Sequence, residues 1–391
     1  MIKRNMTLFK WDNFFGGLWP LATLVIIYFE QITHSYAWAM AVFSACSLST
    51  TFMEIPTGII SDRIGRKKTL IWAAVSIFIC FALWALAGQY QQTWMLFAGA
   101  LLWGVSDALL SGTDEALMYE TMEELGRPDQ FDVLYAKSNG WNQVGLGVSA
   151  LLAAGVTYYF SLQTLAWLSC LLAIGQLMIA FLYIEPQKIQ TYHQTTSFKH
   201  FLIAYRKLRR NRRLRFYALI TIFDRAVGFA SHRFESAYFS TLIPDWLINL
   251  ARFCKQACGT ISFFLIPYVK KWGIIPLFFG SMVASVIIRT VGVCINSAVT
   301  PFIMAGVNLF YGAGQTSGAT LLQNEFSAAQ RATMKSIISF MSNLVQAVTM
   351  FFLGGLADIA SPRTAIFFAV LVKGLVLVSS LFVLKKTASR K

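Results

Sequence analysis

Residues 58–70 read Gly58-Ile-Ile-Ser-Asp62-Arg63-Ile-Gly65-Arg66-Lys67-Lys68-Thr-Leu70. The run is a short basic break between two apolar stretches, 36–60 and 69–87. About 20 apolar residues wound as a helix cross a hydrocarbon slab roughly 30 Å thick. A helix also satisfies every backbone donor and acceptor within itself, as a medium without water demands. Two crossings joined by a tight polar turn are therefore the unit from which this chain is built.

The same alternation extends in both directions. Candidate spans fall at 9–30, 36–60, 69–87, 94–119, 133–157, 163–183, 216–240, 246–268, 274–295, 301–322, 337–357 and 364–384, twelve in all. The expected fold class is all-α integral membrane. Of the 391 residues, 56% are hydrophobic and 13% charged, with 33 Phe and 11 Trp, more apolar surface than one soluble core of this length hides. Ahead of the first span, Lys3, Arg4 and Lys10 precede an apolar run too long for a cleavable leader.

The net charge of +15 would suggest nucleic acid in a soluble domain. Its placement argues otherwise, because the cations gather in alternate breaks. Lys3, Arg4 and Lys10 precede span 1; Arg63 to Lys68 follow span 2; Arg127 and Lys137 follow span 4. Lys188 to Arg215 follow span 6, Lys270 and Lys271 span 8, Arg331 and Lys335 span 10, and Lys385 to Lys391 span 12. The remaining breaks offer only Arg363. The positive-inside rule then puts both termini in the cytoplasm and requires an even number of spans. No basic module interleaved with aromatics is present to hold nucleic acid.

The break at 184–215 is the one long polar stretch. It divides the chain into a six-helix half at 1–183, a basic linker, and a second half at 216–391. Its arginines suit anionic headgroups, and a plain solvated linker reads equally well. The halves echo each other weakly: Ser111-Gly112-Thr113 is matched by Ser317-Gly318-Ala319, and Lys137-Ser138 by Lys335-Ser336. Internal repeats of this kind belong to transporters whose substrate site lies where the halves meet. The six cysteines all lie in apolar segments; Cys254 and Cys258 are one turn apart, and packing accounts for them better than a metal does. No metal or cofactor is expected.

The 58–70 stretch also matches a signature. Gly-x-x-x-Asp-Arg-x-Gly-Arg-Lys/Arg is met at Gly58, Asp62, Arg63, Gly65, Arg66 and Lys67, and with the twelve-span pattern the chain resembles the major facilitator superfamily. The resemblance implies two pseudo-symmetric six-helix bundles and a gate at the cytoplasmic face. Gly58 would allow close helix approach, Gly65 a tight turn, and Asp62 would face the N-terminal end of span 11. The later Arg pairs in the family with an acid at the inner end of span 4, so Arg66 is expected to bridge Asp62 and Glu120, with Glu115 the second choice. A purely topological role for these charges is the alternative. Drug exporters of the family carry an Arg in span 4 where Leu102 stands here, and a Gly-Pro pair in span 5, which holds Gly140, Gly145, Gly147 and Gly155 without Pro.

Charges inside the membrane are costly, about 2.5–3.5 kcal/mol at a helix centre on insertion scales, so they face a cavity or a partner. Asp107 lies near the midplane of span 4, with Ser111 and Asp114 following on the same face. Span 7 is richer. Asp224, Gly228, Ser231 and Glu235 form one stripe; Arg225 and His232 form an adjacent one, and Arg233 lies in the same span. Span 8 adds Arg252, Lys255 and Gln256 on one face. Asp107, Asp224 and Glu235 are the candidate proton carriers; Arg225, His232, Arg233, Arg252, Lys255 and Gln256 are the candidate cavity residues. On the resemblance, spans 3, 6, 9 and 12 lie outside the cavity, so Arg289 and Lys373 are expected to snorkel or to pair between helices. Asp12, Glu30 and Glu54 sit near span ends, where gate or packing roles come first.

These readings converge on a proton-coupled secondary transporter for a small organic solute. The surplus of cations over acids favours an anionic or zwitterionic one. Multidrug efflux by proton antiport is the alternative. No nucleophile elbow or phosphate loop points to an enzyme. The expected setting is a bacterial cytoplasmic membrane, with the protein monomeric in the bilayer.

Overall fold

A computed structural model describes residues 2–186, 212–324 and 328–388. The chain divides into two compact units, Met1–Thr191 with Pro244–Phe253, and Tyr192–Ile243 with Cys254–Lys391. The first contains α1 (Asn5–Gly17), α2 (Val25–Thr33), α3 (Tyr36–Ile64), α4 (Arg66–Tyr90), α5 (Thr93–Leu110), α6 (Thr113–Glu124), α7 (Phe131–Tyr159) and α8 (Leu162–Leu182). The rest of the chain forms α9 (Arg212–Phe239), α10 (Asp245–Val269), α11 (Ile274–Ile295), α12 (Thr300–Ala305), α13 (Tyr311–Asn324), α14 (Ala328–Ile359) and α15 (Pro362–Ala388). Most of the expected linker, 187–211, lies outside the described residues.

Fifteen described α-helices serve the expected spans because three spans are broken. Span 1, expected to be continuous, ends α1 at Gly17 and resumes at Val25 after a 3-10 turn at Pro20–Thr23. Proline has no N–H and its ring blocks the preceding turn. The buried Leu21 amide, left open by the break, is instead satisfied by Ser169 Oγ from α8, at 3.2 Å. Span 4 breaks at Ser111–Gly112, where Gly112 has φ +77°. That break removes Asp114 from the regular face expected to carry Asp107 and Ser111. Span 10 is α12, a 3-10 stretch at Gly306–Phe310, and α13, whose Gly312 amide is met by Ser262 Oγ at 2.9 Å. The repeat between Ser111-Gly112 and Ser317-Gly318 therefore does not extend to conformation, since the second pair lies inside α13.

Six described stretches are long and apolar enough to cross a membrane unaided: Arg66–Tyr90, Thr93–Glu124, Leu162–Leu182, Ile274–Ile295, Ile337–Ile359 and Pro362–Ser380. The other spans fall short for readable reasons. Spans 1 and 10 are in pieces, and α9 carries Asp224, Arg225, Arg233 and Glu235 within one helix. Large apolar side chains nonetheless stand outside: Phe264 is 75% exposed, Leu375 67% and Leu171 62%. Water would not tolerate so much apolar surface, and lipid does.

Within the first unit, α4 packs on α5 and α8, α3 on α5, and α1 on α7. Hydroxyls stitch the α3–α5 seam, with Ser49 Oγ donating to Leu101 O at 2.8 Å and Thr57 Oγ1 to Ala108 O at 3.1 Å. Such interhelical bonds replace the hydrophobic drive that lipid does not supply. The α1–α7 contact is closer still. A Cβ on Gly17 would lie 2.5 Å from Asn142 O, and one on Gly145 would lie 2.2 Å from Phe14 O. In the second unit α9 packs on α14 and α15, while α11 packs on α13 and α15, around Ile220, Phe278, Phe279, Met282 and Leu377.

Candidate functional site

Gly65 is the whole of the connection between α3 and α4, so the signature stretch is two helix ends and not a loop. Asp62 and Arg63 stand in the last turn of α3. Gly65 has φ +94° and ψ 160°, a region that essentially only glycine occupies. Its missing side chain also makes room for Glu185, whose Oε1 would lie 2.8 Å from a Cβ. Glu185 reaches back from the end of α8 and accepts the Arg66 and Lys67 amides at 2.7 and 2.6 Å. A carboxylate on the first free N–H groups of a helix satisfies donors that have no partner inside it, and the helix dipole favours it there.

Arg66 makes the expected contact with Glu120, Nε to Oε1 at 3.2 Å. Its other arm donates to Ser61 Oγ at 2.9 Å. The side chain of Asp62 lies outside the described residues. Glu115, the second choice, accepts from Tyr135 Oη instead, at 3.1 Å. Gly58 has no described residue within 4 Å of the position a Cβ would take. The Arg66–Glu120 pair is 24% and 35% exposed. Pairs that wet contribute about 0–1 kcal/mol. Behind it, Ser61 and Thr113 share a buried hydroxyl bond of 3.1 Å.

In the second unit one carboxylate organises three helices. Glu235 on α9 is held by Lys255 of α10, through Oε2, and by Arg289 of α11, with Nη1 2.6 Å from Oε1. The three side chains are 4%, 8% and 7% exposed, respectively. His232, one turn before Glu235, places Nδ1 3.0 Å from Lys255 Nζ and 3.7 Å from Glu235 Oε2. A short distance between an ammonium and a ring nitrogen fits a neutral imidazole accepting at Nδ1. Among the described residues, two cations and one carboxylate leave the cluster with one positive charge in excess.

Asp224, one end of the same stripe, pairs with Lys373 of α15 at 3.1 Å. Gly228 leaves room for that lysine, whose Nζ would be 3.1 Å from a Cβ there. The acids of span 7 thus turn into their own unit, and Arg289 and Lys373, expected to snorkel or pair, are the partners. Lys255, expected to point at substrate, is taken up by Glu235. Arg225 is exposed, while Arg233 lies with its guanidinium 5.0 Å from the Phe229 ring centroid. Arg252 and Gln256 are half-buried. In the first unit Asp107 is exposed and accepts Trp103 Nε1 at 2.9 Å, and Trp103 packs on Trp19 with centroids 4.4 Å apart.

Sequence reasoning passed over Glu185, Ser61 and Thr113. Glu185 had a signal, as an acid opening an otherwise basic break. The hydroxyls had none, because serine and threonine are common in every span.

Broken spans, buried ion pairs between helices and the signature at two helix ends are what a multi-pass membrane protein of the expected class presents. The sequence pattern of the Major Facilitator Superfamily matches residues 13–253, and the chain belongs to that family. Raffinose permease of Escherichia coli is 28% identical over 153 residues, which are 38% of this chain and 35% of that protein. Mouse major facilitator superfamily domain-containing protein 10 is 23% identical over 174 residues, 43% of this chain and again 35% of the relative. Each alignment therefore spans about a third of the relative's length. Among solved structures, the nucleoside transporter NupG in a mutant form superposes with a TM-score of 0.81 at 15% identity, covering 97% of this chain and 98% of its own. A D-xylose-proton symporter gives 0.70 at 15% identity, covering 96% of each chain. A POT family transporter in complex with 5-aminolevulinic acid gives 0.68 at 15%, covering 97% and 96%. At these identities the likeness establishes the fold alone, all-α with twelve spans in two six-helix bundles.

Proposed function

We propose that this chain is a secondary active, proton-coupled transporter of a small anionic or zwitterionic solute, working by alternating access. The supporting observation is the Glu235–Lys255–Arg289 cluster, buried and one positive charge in excess. Net positive charge held in a buried cluster is costly, and a solute carboxylate offsets it on binding. Arg225 and Arg233 on α9 lie within three residues of Glu235 or one residue of Asp224 and add to the surplus. Asp107, Asp224 and Glu235 stay the candidate proton carriers, each now with a named partner in Trp103, Lys373 and Lys255. The 5-aminolevulinic acid bound by one of the POT family neighbours is a zwitterion of this kind. The orientation proposed from the charge pattern, both termini inside a bacterial cytoplasmic membrane, puts the Arg66–Glu120 gate on the cytoplasmic side.

A neutral polyhydroxy solute is the second reading, favoured by the exposed Trp103–Asp107 pair, an aromatic face beside an acceptor. Purified protein in liposomes under an imposed pH gradient separates the two, using a panel of organic acids, amino acids, sugars, nucleosides and lipophilic cations. Accumulation of acids or zwitterions that collapses with the gradient is the expected result. Movement of sugars or nucleosides alone, extrusion of cationic drugs, or accumulation indifferent to the gradient would each overturn the proposal.

A further inference from the structure

Asp12 of α1 is a carboxylate with no cation in ion-pair range among the described residues. Tyr183 Oη donates to its Oδ2 at 3.0 Å. Gln176 of α8 hydrogen-bonds to it, and a second acid, Asp114 of α6, acts on it electrostatically. Beside it lies a cavity of about 10 Å³, lined by Asp12, Ser106, Gln176, Leu70, Ala73 and Ile77 among others. That is room for about one water. Among the described residues the lining of this cavity brings no base to Asp12: α4 presents Leu70, Ala73 and Ile77, α5 presents Ser106, and α8 presents Gln176.

We infer that Asp12 is a protonation site of the first unit, and that the cytoplasmic gate motif reads its state through residues 183–185. The inference rests on the proton-coupled reading and adds a carboxylate to it. A carboxylate inside a membrane unit needs a compensating charge. The water-sized void admits a proton carried by water, and its three polar lining groups are too few to replace the hydration shell of a larger cation. The proton adds to one carboxylate oxygen. The neutral acid then donates to the Gln176 carbonyl or to the cavity water, and Tyr183 Oη keeps a weaker, uncharged acceptor.

The relay is short. Tyr183 is followed by Ile184, whose N–H donates to Asn5 Oδ1 at 3.0 Å and whose carbonyl accepts Asn5 Nδ2 at 2.8 Å. Glu185 comes next and caps the Arg66 and Lys67 amides. Three consecutive residues thus tie α1, at Asp12 and Asn5, to the N-terminus of α4. Asn5 is fully buried and also donates to Thr121 Oγ1 at 3.2 Å, which holds this strap against α6, the helix of Glu120. Loosening the Tyr183 bond frees the strap at one end and weakens the cap at the other.

The test needs no solute. Full-length protein in lipid is titrated in attenuated-total-reflection infrared difference spectroscopy, with pH as the probe, and amide exchange at residues 65–67 is followed by mass spectrometry. In the native protein a protonated-carboxyl band titrates and exchange at 66–67, corrected for intrinsic chemistry, speeds up on acidification. Asp12→Asn, nearly isosteric, loses that band and the exchange response. Tyr183→Phe keeps the band at a shifted midpoint, and so decides the matter if Asp12→Asn does not fold. A full band in Asp12→Asn, an unshifted one in Tyr183→Phe, or an exchange response that survives Asp12→Asn would overturn the inference. Failure of gradient-driven uptake in the native protein would strike the proposed function and leave these readouts standing.

Discussion

Glu235→Gln removes the single negative charge from a site that keeps Lys255 and Arg289. With exposures of 4%, 8% and 7%, the three side chains are beyond the reach of solvent screening. Each attraction, at roughly 4 Å between charge centres and an effective dielectric near 20, is worth about 4 kcal/mol. Burial has already charged much of that gain to desolvation, so the measurable quantity is the cost of stripping one partner from a buried pair, about 3–5 kcal/mol. Glutamine still accepts from Lys255, so a loss of about 3 kcal/mol is expected. Equilibrium unfolding in mixed micelles, titrated with a denaturing detergent, measures it. The double variant Glu235→Gln/Lys255→Met should recover about 1–3 kcal/mol, since the cation left unpaired is gone as well. The same cycle with Arg289→Met should couple in the same sense. A single-variant loss below about 1 kcal/mol, or cycles additive within about 0.5 kcal/mol, would refute the claim that this carboxylate holds three helices together.

Two glycine substitutions test the close contacts. Gly65→Ala forces a Cβ into a φ +94° turn and against Glu185, and should cost about 1–3 kcal/mol; amide exchange at Arg66 and Lys67 should rise as the cap is displaced, and unchanged exchange would count against the cap. Gly145→Ala drives a methyl against the Phe14 carbonyl at 2.2 Å, where neither backbone can yield. A loss of about 1–3 kcal/mol, read as a lower unfolding midpoint in detergent, is expected, with Gly155→Ala, which meets open space, as the neutral control.

The architecture was legible because its signals are collective. Twelve apolar runs and cations in alternate breaks have to agree with each other, and a few wrong residues do not disturb that agreement. The Arg66–Glu120 contact was legible for a narrower reason, since the signature fixes Arg66 and the resemblance puts its acid at the inner end of span 4, where Glu115 was the other choice. The interior of span 7 was not. Its stripe of Asp224, Gly228, Ser231 and Glu235 is a real helix face, but periodicity gives a direction around one axis and says nothing of what stands opposite. Arg289 and Lys373 are ordinary cations in apolar runs until the fold puts them 2.6 and 3.1 Å from those acids. The breaks in spans 1 and 10 were hidden for the reverse reason: proline at position 20 and glycine at 306 were visible, yet both residues are common inside membrane helices and do not announce a break.

What permits those breaks is supplied from elsewhere in the chain. A backbone amide left open in hydrocarbon costs several kcal/mol, so a helix can unwind in a membrane only where a neighbour offers an acceptor. Ser169 of α8 does this for Leu21, and Ser262 of α10 does it for Gly312. Each serine is one unremarkable hydroxyl in its own helix, and each sits at a separation of at least 50 residues from the amide it serves. Trp19, next to the first break, is thereby free to leave the helical path and pack on Trp103, the indole that holds Asp107. The unwound turn of span 1 and the exposed carboxylate of span 4 are therefore parts of one arrangement, connected by two tryptophans.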